Sequence, residues 1–250
     1  MGPGPLPQPD PQAPLARLGV VAALPQEARP LRRVLEAHGC PAGDGAGLAL
    51  AVSGVGAQRA REAAHRLLDA GARALMSWGS AAGLRPGLAA GTVLLPETVI
   101  DAQRYRFATD PAWHQAMVTQ LAARAHRLST GPLAEAAGLL ESAADKEALL
   151  RQTGAVAADM ESAAIAEVAR EANVPFMVVR AVADPAHGVI PACVSQAMDE
   201  RGRVHTAKLL GHALISPAQW VQLARLAWWF GAAERALSRA APHMIEVPPR

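Results

Sequence analysis

The chain of 250 residues is poor in charge, with 18% charged side chains and no run of lysine or arginine, and it has two cysteines. A net charge of +2 without a basic cluster lacks the electrostatic footprint of a nucleic-acid binder, and a small-molecule partner is expected instead. Cys40 and Cys193 lie far apart and in no metal-ligand spacing. That arrangement points to free structural thiols in a reduced, cytoplasmic setting and away from a disulfide-stapled fold or a metal module. No uninterrupted apolar stretch reaches bilayer length, and neither an internal repeat nor a domain linker is visible. The opening "MGPGPLPQPDPQAP" lacks the basic and apolar regions of a signal peptide and cannot pack a core, so residues 1–16 are expected to be a disordered proline-rich tail.

What remains is 51% hydrophobic, enough for one sizeable α/β domain, expected over residues 17–215. Short β-branched runs alternate with stretches of helical spacing. "ARLGVVAAL", "GLALAVSGVG", "ARALMSWGSAAG", "GTVLLPETVI", "AVAADM" and "PFMVVRAVAD" read as strands. "EARPLRRVLEAHG", "AQRAREAAHRLLDAG", "QAMVTQLAARAHRL", "ADKEALLRQTG" and "ESAAIAEVAREANV" read as helices. The pattern predicts a mostly parallel sheet covered on both faces, with residues 101–114 as a long irregular loop of the kind that covers a site.

Residues 216–250 are expected to form a C-terminal Trp-rich amphipathic helix and tail, with Ser216 as N-cap and Pro217 in the first turn. Trp220, Leu223, Ala227, Phe230 and Leu237 make one apolar stripe; Val221, Trp228 and Trp229 fall off it, beside Arg225, Arg235 and Arg239. Such a helix suits either burial on one face with a subunit interface on the other, or peripheral contact with a membrane surface.

Ligands of open α/β sheets bind beyond the carboxyl ends of the strands. Those positions here hold Glu27, Gly54 and Gly56, Gly79, Ser80 and Gly83, Asp159 and Glu161, and Asp184. Any one of these acids can be a helix cap or a solvated first-turn residue, and "SGVG" can be a plain tight turn. Four carboxylates at one sheet edge suit cleavage of an N-glycosidic bond. One binds the ribose hydroxyls as charge develops on the sugar, a buried protonated acid assists the leaving base, and a third activates water. No metal or other cofactor is required.

"GVVAALPQEA" (19–28), "SGVGAQRA" (53–60), "WGSAAGL" (78–84), "ADMESAAIA" (158–166) and "VVRAVAD" (178–184) resemble, in order and spacing, the nucleoside phosphorylase and nucleosidase superfamily, which includes methylthioadenosine/S-adenosylhomocysteine nucleosidase. The resemblance implies a single α/β domain around a mixed, partly barrel-like sheet flanked by helices, assembled as a homodimer or larger oligomer. It also implies that Glu27 positions the nucleophilic water, Met160 lies beneath the ribose and Glu161 binds its hydroxyls. Asp184 would protonate the purine at N7, with Ser80 near the sugar and that acid, and Asp159 lining the pocket. Ser77 stands where the compared phosphorylases carry a phosphate-clamping arginine, which favours water over phosphate unless Arg29, Arg32 or an arginine of a partner chain compensates.

Gly54, Gly56 and Ser77 are the candidate phosphate or water site. Where the nucleosidases stack a phenylalanine on adenine, this chain has "ESAADKEALL", whose Lys146 is a candidate for a new contact but is expected on a solvated helix face. "RFATDPAW", "ADKEALL" and the tail from Arg201 resemble the hopanoid-associated branch, which implies adenosylhopane as the adenine nucleoside. The alternatives are a methylthioadenosine/S-adenosylhomocysteine nucleosidase and a non-catalytic nucleoside-binding or membrane-associated scaffold.

Overall fold

The computed structural model describes residues 18–37, 47–124, 126–191 and 217–246. The tail 1–16, Cys40, Cys193, Ser216 as N-cap and the segment 201–216 lie outside these residues.

Four strands form a parallel core: β1 (Leu18–Ala22), β2 (Leu48–Val52), β3 (Ala74–Gly83) and β10 (Phe176–Asp184), in the order β2-β1-β3-β10. Every residue of β1 and of β10 is buried, which is why both read as continuous apolar runs and not as alternating ones. Helix α1 (Pro25–Ala37) follows β1, and α2 (Ala57–Asp69) follows β2. Leu31 and Leu35 of α1 pack on one face of the sheet, whereas Ala60, Ala63 and Ala64 of α2 pack on the other beside Ile165.

The sheet is mixed and mostly parallel, with six parallel and three antiparallel pairings among the described residues. β4 (Val93–Leu94) runs antiparallel to β10, and β9 (Ala157–Asp159) antiparallel to the end of β3. The predicted strand 91–100 is two strands, because Pro96 removes a ladder donor. β4 joins β10 and β7 (Leu128–Ser129), while β5 (Thr98–Ile100) joins β6 (Arg106–Ala108) and β8 (Leu133–Glu135).

That split dictates the shape of the sheet. In the order β5-β8-β9-β3-β10-β4, five ladder steps separate β5 from β4. A flat sheet would hold them ~24 Å apart. The chain from Leu94 to Thr98 reaches only about 15 Å. The sheet therefore curls toward a barrel. The 101–114 stretch contains β6 and the start of α3 (Pro111–Ala122), which Asp110 caps by accepting from the Trp113 N–H at 2.8 Å. It packs against the far end of α5 (Ser162–Glu171), where Arg170 lies over the Tyr105 and Phe107 rings, and covers none of the candidate carboxylates.

Helix α6 (Pro217–Ala240) packs on the same face as α1, and a short α7 (His243–Glu246) follows it. Its buried stripe is Leu226, Trp229, Ala233, Ala236, Leu237 and Ala240, not the one predicted from the large side chains. The close approach to the sheet is made by alanines, so Trp220, Val221, Trp228 and Phe230 are left exposed. Gly91 meets this helix directly: a β-carbon there would fall 3.1 Å from the Ala232 carbonyl.

Helix α4 (Ala143–Thr153) is closed at both ends by local chemistry. Ser142 Oγ accepts from the Asp145 N–H and Asp145 Oδ2 accepts from the Ser142 N–H, each at 3.1 Å, while Gly154 takes the left-handed cap at φ 70°. Replacing Ser142 with alanine is expected to cost about 1 kcal/mol. In a chain of this size the thermal midpoint should fall by roughly 2–4 °C, and an unchanged melting curve would show that the cap is not formed.

Candidate active site

Glu27 enters the site from the first turn of α1, where an acid also suits the helix dipole. Its Oε2 accepts from the Leu24 N–H at 3.0 Å, and its Oε1 accepts from the Ser80 N–H at 2.8 Å and the Ser80 hydroxyl at 2.6 Å. The indole of Trp78, wholly buried in β3, donates to the Glu27 carbonyl at 2.8 Å and ties α1 to the strand. Gly79 lies between these anchors. A β-carbon there would stand 2.5 Å from Arg180 Nη1 and 2.9 Å from the Glu27 carboxylate, so a larger residue would have to displace both charged side chains.

Arg180 is the residue that sequence reasoning missed. It sits in the middle of β10, 1% exposed, and its Nε faces Asp159 Oδ2 at 2.7 Å. Its Nη2 donates to Ser77 Oγ at 2.8 Å and to Ser162 Oγ at 3.3 Å, and lies 3.5 Å from Glu161 Oε2, while Nη1 donates to the Ser80 carbonyl at 3.3 Å. The signal was available: a lone arginine within an otherwise apolar strand run must be paired where it is buried.

Asp159 Oδ1 accepts from the Glu161 and Ser162 N–H groups at 3.3 and 3.1 Å, which starts α5, and the Ser162 hydroxyl donates to Oδ2. Glu161 Oε1 accepts from the Gly56 N–H at 2.9 Å, so the second glycine turn serves the carboxylate. Burial is the main cause that raises the Glu161 carboxyl from 4.5 to about 7; Arg180 opposes it, and Asp159 and Glu27 add repulsion.

Glu27, Ser80, Asp159, Glu161 and Gly56 are thus joined by one bonded network centred on Arg180. Met160 is half-buried between its two acids. Ser77 is fully buried beneath the network, its hydroxyl engaged by Arg180 and Ser162. Arg29 and Arg32 are exposed on α1. Gly54 has φ 86° in the turn after β2. Gly83 serves close strand packing, since a β-carbon there would meet Val182 at 3.3 Å.

Asp184 ends β10, four residues beyond Arg180, and lies outside the Arg180 network. Its partner is Lys146, whose expected solvated position is corrected: Lys146 is wholly buried and its Nζ lies 2.5 Å from Asp184 Oδ2. Ser80 bonds Glu27, not Asp184. Among the described residues no group of three or more His, Cys, Asp and Glu is placed to hold a metal. No described helix is long and apolar enough to cross a membrane. The open cleft of about 590 Å³ beside Tyr105, Phe107 and Arg170 is lined by none of these carboxylates.

The sequence profile of the phosphorylase superfamily matches residues 17–212. The chain belongs to the phosphorylase superfamily. It is an enzyme of the nucleosidase or nucleoside phosphorylase kind. Three solved structures share its fold. A Helicobacter pylori 5′-methylthioadenosine/S-adenosylhomocysteine nucleosidase, complexed with a substituted pyrrolidinol, is 16% identical over 93% of this chain and 98% of its own, with a TM-score of 0.67. Futalosine hydrolase of Helicobacter pylori is 17% identical over 93% and 98%, TM-score 0.67. The Streptococcus pneumoniae methylthioadenosine/S-adenosylhomocysteine nucleosidase with a transition-state inhibitor is 19% identical over 92% and 98%, again 0.67.

The Glu161 environment predicts a pH signature. The folded protein holds this proton to about pH 7, whereas the unfolded chain releases it near 4.5. The folded state then binds more protons between these values, so the stability contributed is full below pH 4.5 and is lost as pH rises toward 7. Unfolding free energies of the wild type minus those of Glu161→Gln should fall steadily across that window in urea titrations. A flat difference would refute the raised carboxyl.

Proposed function

We propose that this enzyme cleaves the N-glycosidic bond of an adenine nucleoside, with water as nucleophile and adenosylhopane as substrate. The observation that carries the chemistry is the Arg180-centred network, which holds Glu27 and Glu161 desolvated and oriented at the carboxyl ends of β1 and β9, with Asp184 at the end of β10.

In this reading the C1′–N9 bond breaks with its electron pair passing to the base, and Asp184 supplies a proton to N7. Glu161 accepts hydrogen bonds from the ribose hydroxyls and steadies the charge that develops on the sugar. Met160 packs beneath the ribose. Glu27, oriented by Ser80, takes a proton from the water that attacks C1′. The buried position of Ser77, already committed to Arg180, supports water over phosphate.

Support for a lipid-linked nucleoside comes from the sequence likeness to the hopanoid-associated branch and from α6. The helix leaves Trp220, Val221 and Trp228 at least half exposed and carries no acidic side chain from Pro217 through Ala233. An aromatic and basic face of this kind suits peripheral contact with an anionic membrane, where a pentacyclic substrate would reside. The same-chemistry alternative, methylthioadenosine/S-adenosylhomocysteine nucleosidase, is favoured by the relatives that share the fold.

Adenine release from adenosylhopane and from methylthioadenosine, measured side by side with and without phosphate, distinguishes these readings. Release confined to adenosylhopane and indifferent to phosphate is the expected result; equal or faster release from methylthioadenosine would replace the lipid substrate. Asp184→Asn should retain nucleoside binding and lose base release by about 10²–10⁴-fold. Undiminished turnover would remove Asp184 from the acid role.

A further inference from the structure

Lys146 and Asp184 form a second buried charge centre that the chemistry above does not explain. Lys146 reaches it from α4, and its Nζ donates three hydrogen bonds: to Asp184 Oδ2 at 2.5 Å, to the Pro185 carbonyl at 3.0 Å and to the Gly188 carbonyl at 2.9 Å. All three ammonium donors are thereby used, and they converge on one turn. Asp184 is 3% exposed, and its Oδ1 accepts no hydrogen bond among the described residues. The turn is packed to contact. A β-carbon on Gly188 would fall 2.0 Å from Asp184 Oδ1 and 3.1 Å from the Trp229 ring, while His187 meets that ring edge-on at 5.6 Å.

An ammonium with three oxygen partners does more than neutralise a carboxylate. It selects which oxygen is held and which is left. Oδ2 is locked to Lys146, and Oδ1 is the oxygen without a partner, the costly state for a buried acceptor unless it carries or meets a proton. We propose that Lys146 is the positioning residue for the base-protonating acid: its ammonium fixes Oδ2 and the Pro185–Gly188 turn, reserving Asp184 Oδ1 for the proton passed to the leaving base. This rests on the reading of Asp184 as that acid.

The charge arithmetic gives the inference a measurable sign. Burial raises the Asp184 carboxyl, and the bond and charge of Lys146 oppose that rise, with His187 a lesser aid. Burial likewise draws the Lys146 ammonium below its ordinary range, against the pull of Asp184. Of the other elements packed here, β3 opposes Asp184 with Ala82, and α6 brings Trp229 with Arg225 stacked over it at 5.2 Å. Without Lys146 the carboxyl keeps its proton to higher pH, so the fraction of competent acid persists further into the alkaline range.

The test uses the full chain. Infrared titration of the Asp184 carboxyl, assigned by its loss in Asp184→Asn, should show the midpoint rising by about 1–3 pH units in Lys146→Met and staying near the wild-type value in Lys146→Arg. The alkaline limb of adenine release, measured on whichever of adenosylhopane and methylthioadenosine the wild type cleaves, should move up with it. A structural role alone would lower the rate evenly at all pH values, and an unmoved midpoint or limb in Lys146→Met overturns the proposal. Should Lys146→Met fail to fold, Lys146→Arg decides. A planar guanidinium cannot serve three convergent carbonyl and carboxylate oxygens in the same geometry, so kcat should drop about tenfold or more with KM unchanged, and a wild-type kcat would refute the positioning. Full activity in Asp184→Asn would instead sink the acid assignment itself, leaving a moved infrared midpoint in Lys146→Met as a fact of the pair alone.

Discussion

One buried guanidinium organises the site. Arg180 stands on a strand with no exposed residue and is met by Asp159 and Glu161, with the carboxylate of Glu27 close by. A buried ion that lost its partners would be strongly unfavourable, so the neighbours must be delivered together by separate parts of the chain. Asp159 and Glu161 come from the β9–α5 junction, Glu27 from the start of α1, and Ser77 and Ser80 from β3. The single positive charge does not balance three acids. That imbalance, added to burial, is why Glu161 holds its proton so high.

Four residues along the same strand the polarity is reversed. There the strand supplies the anion, Asp184, and a neighbouring helix supplies the cation, Lys146. The two centres share the backbone of β10, and among the described residues no hydrogen bond joins them, so in the proposed reaction each can be tuned separately. The Asp184 end is also braced from outside. Trp229 of α6 presses on the Gly188 turn, so the helix with the exposed tryptophans reaches the acid through one buried ring. An exposed hydrophobic surface and the Gly188 turn thereby lie on opposite faces of one helix.

Much of this was legible in particular residues. The carboxylates were found because each follows a strand, a position set by local pattern. Arg180 is not legible in this way, because a charge in an apolar strand announces burial without naming its partners. Lys146 was misplaced for the opposite reason. Its helix, "AADKEALLRQT", is polar enough to pass for a solvated one, and nothing in its spacing says that one lysine turns inward to a strand 38 residues on. The stripe on α6 was misassigned because the packed face is mostly alanine, and alanine carries too little hydrophobic signal to outvote exposed tryptophans.

Local sequence is enough to set the strand-and-helix alternation, the glycine turns, the caps of α4 and the acids at strand ends. These follow from short-range rules of period, backbone freedom and capping. The tertiary structure decided the curl of the sheet, which Pro96 forces by sending adjoining strands to distant neighbours, and it decided which acid meets which cation. Ion pairing in a core depends on distances between residues far apart in the chain, and those distances exist only once the sheet has closed around them.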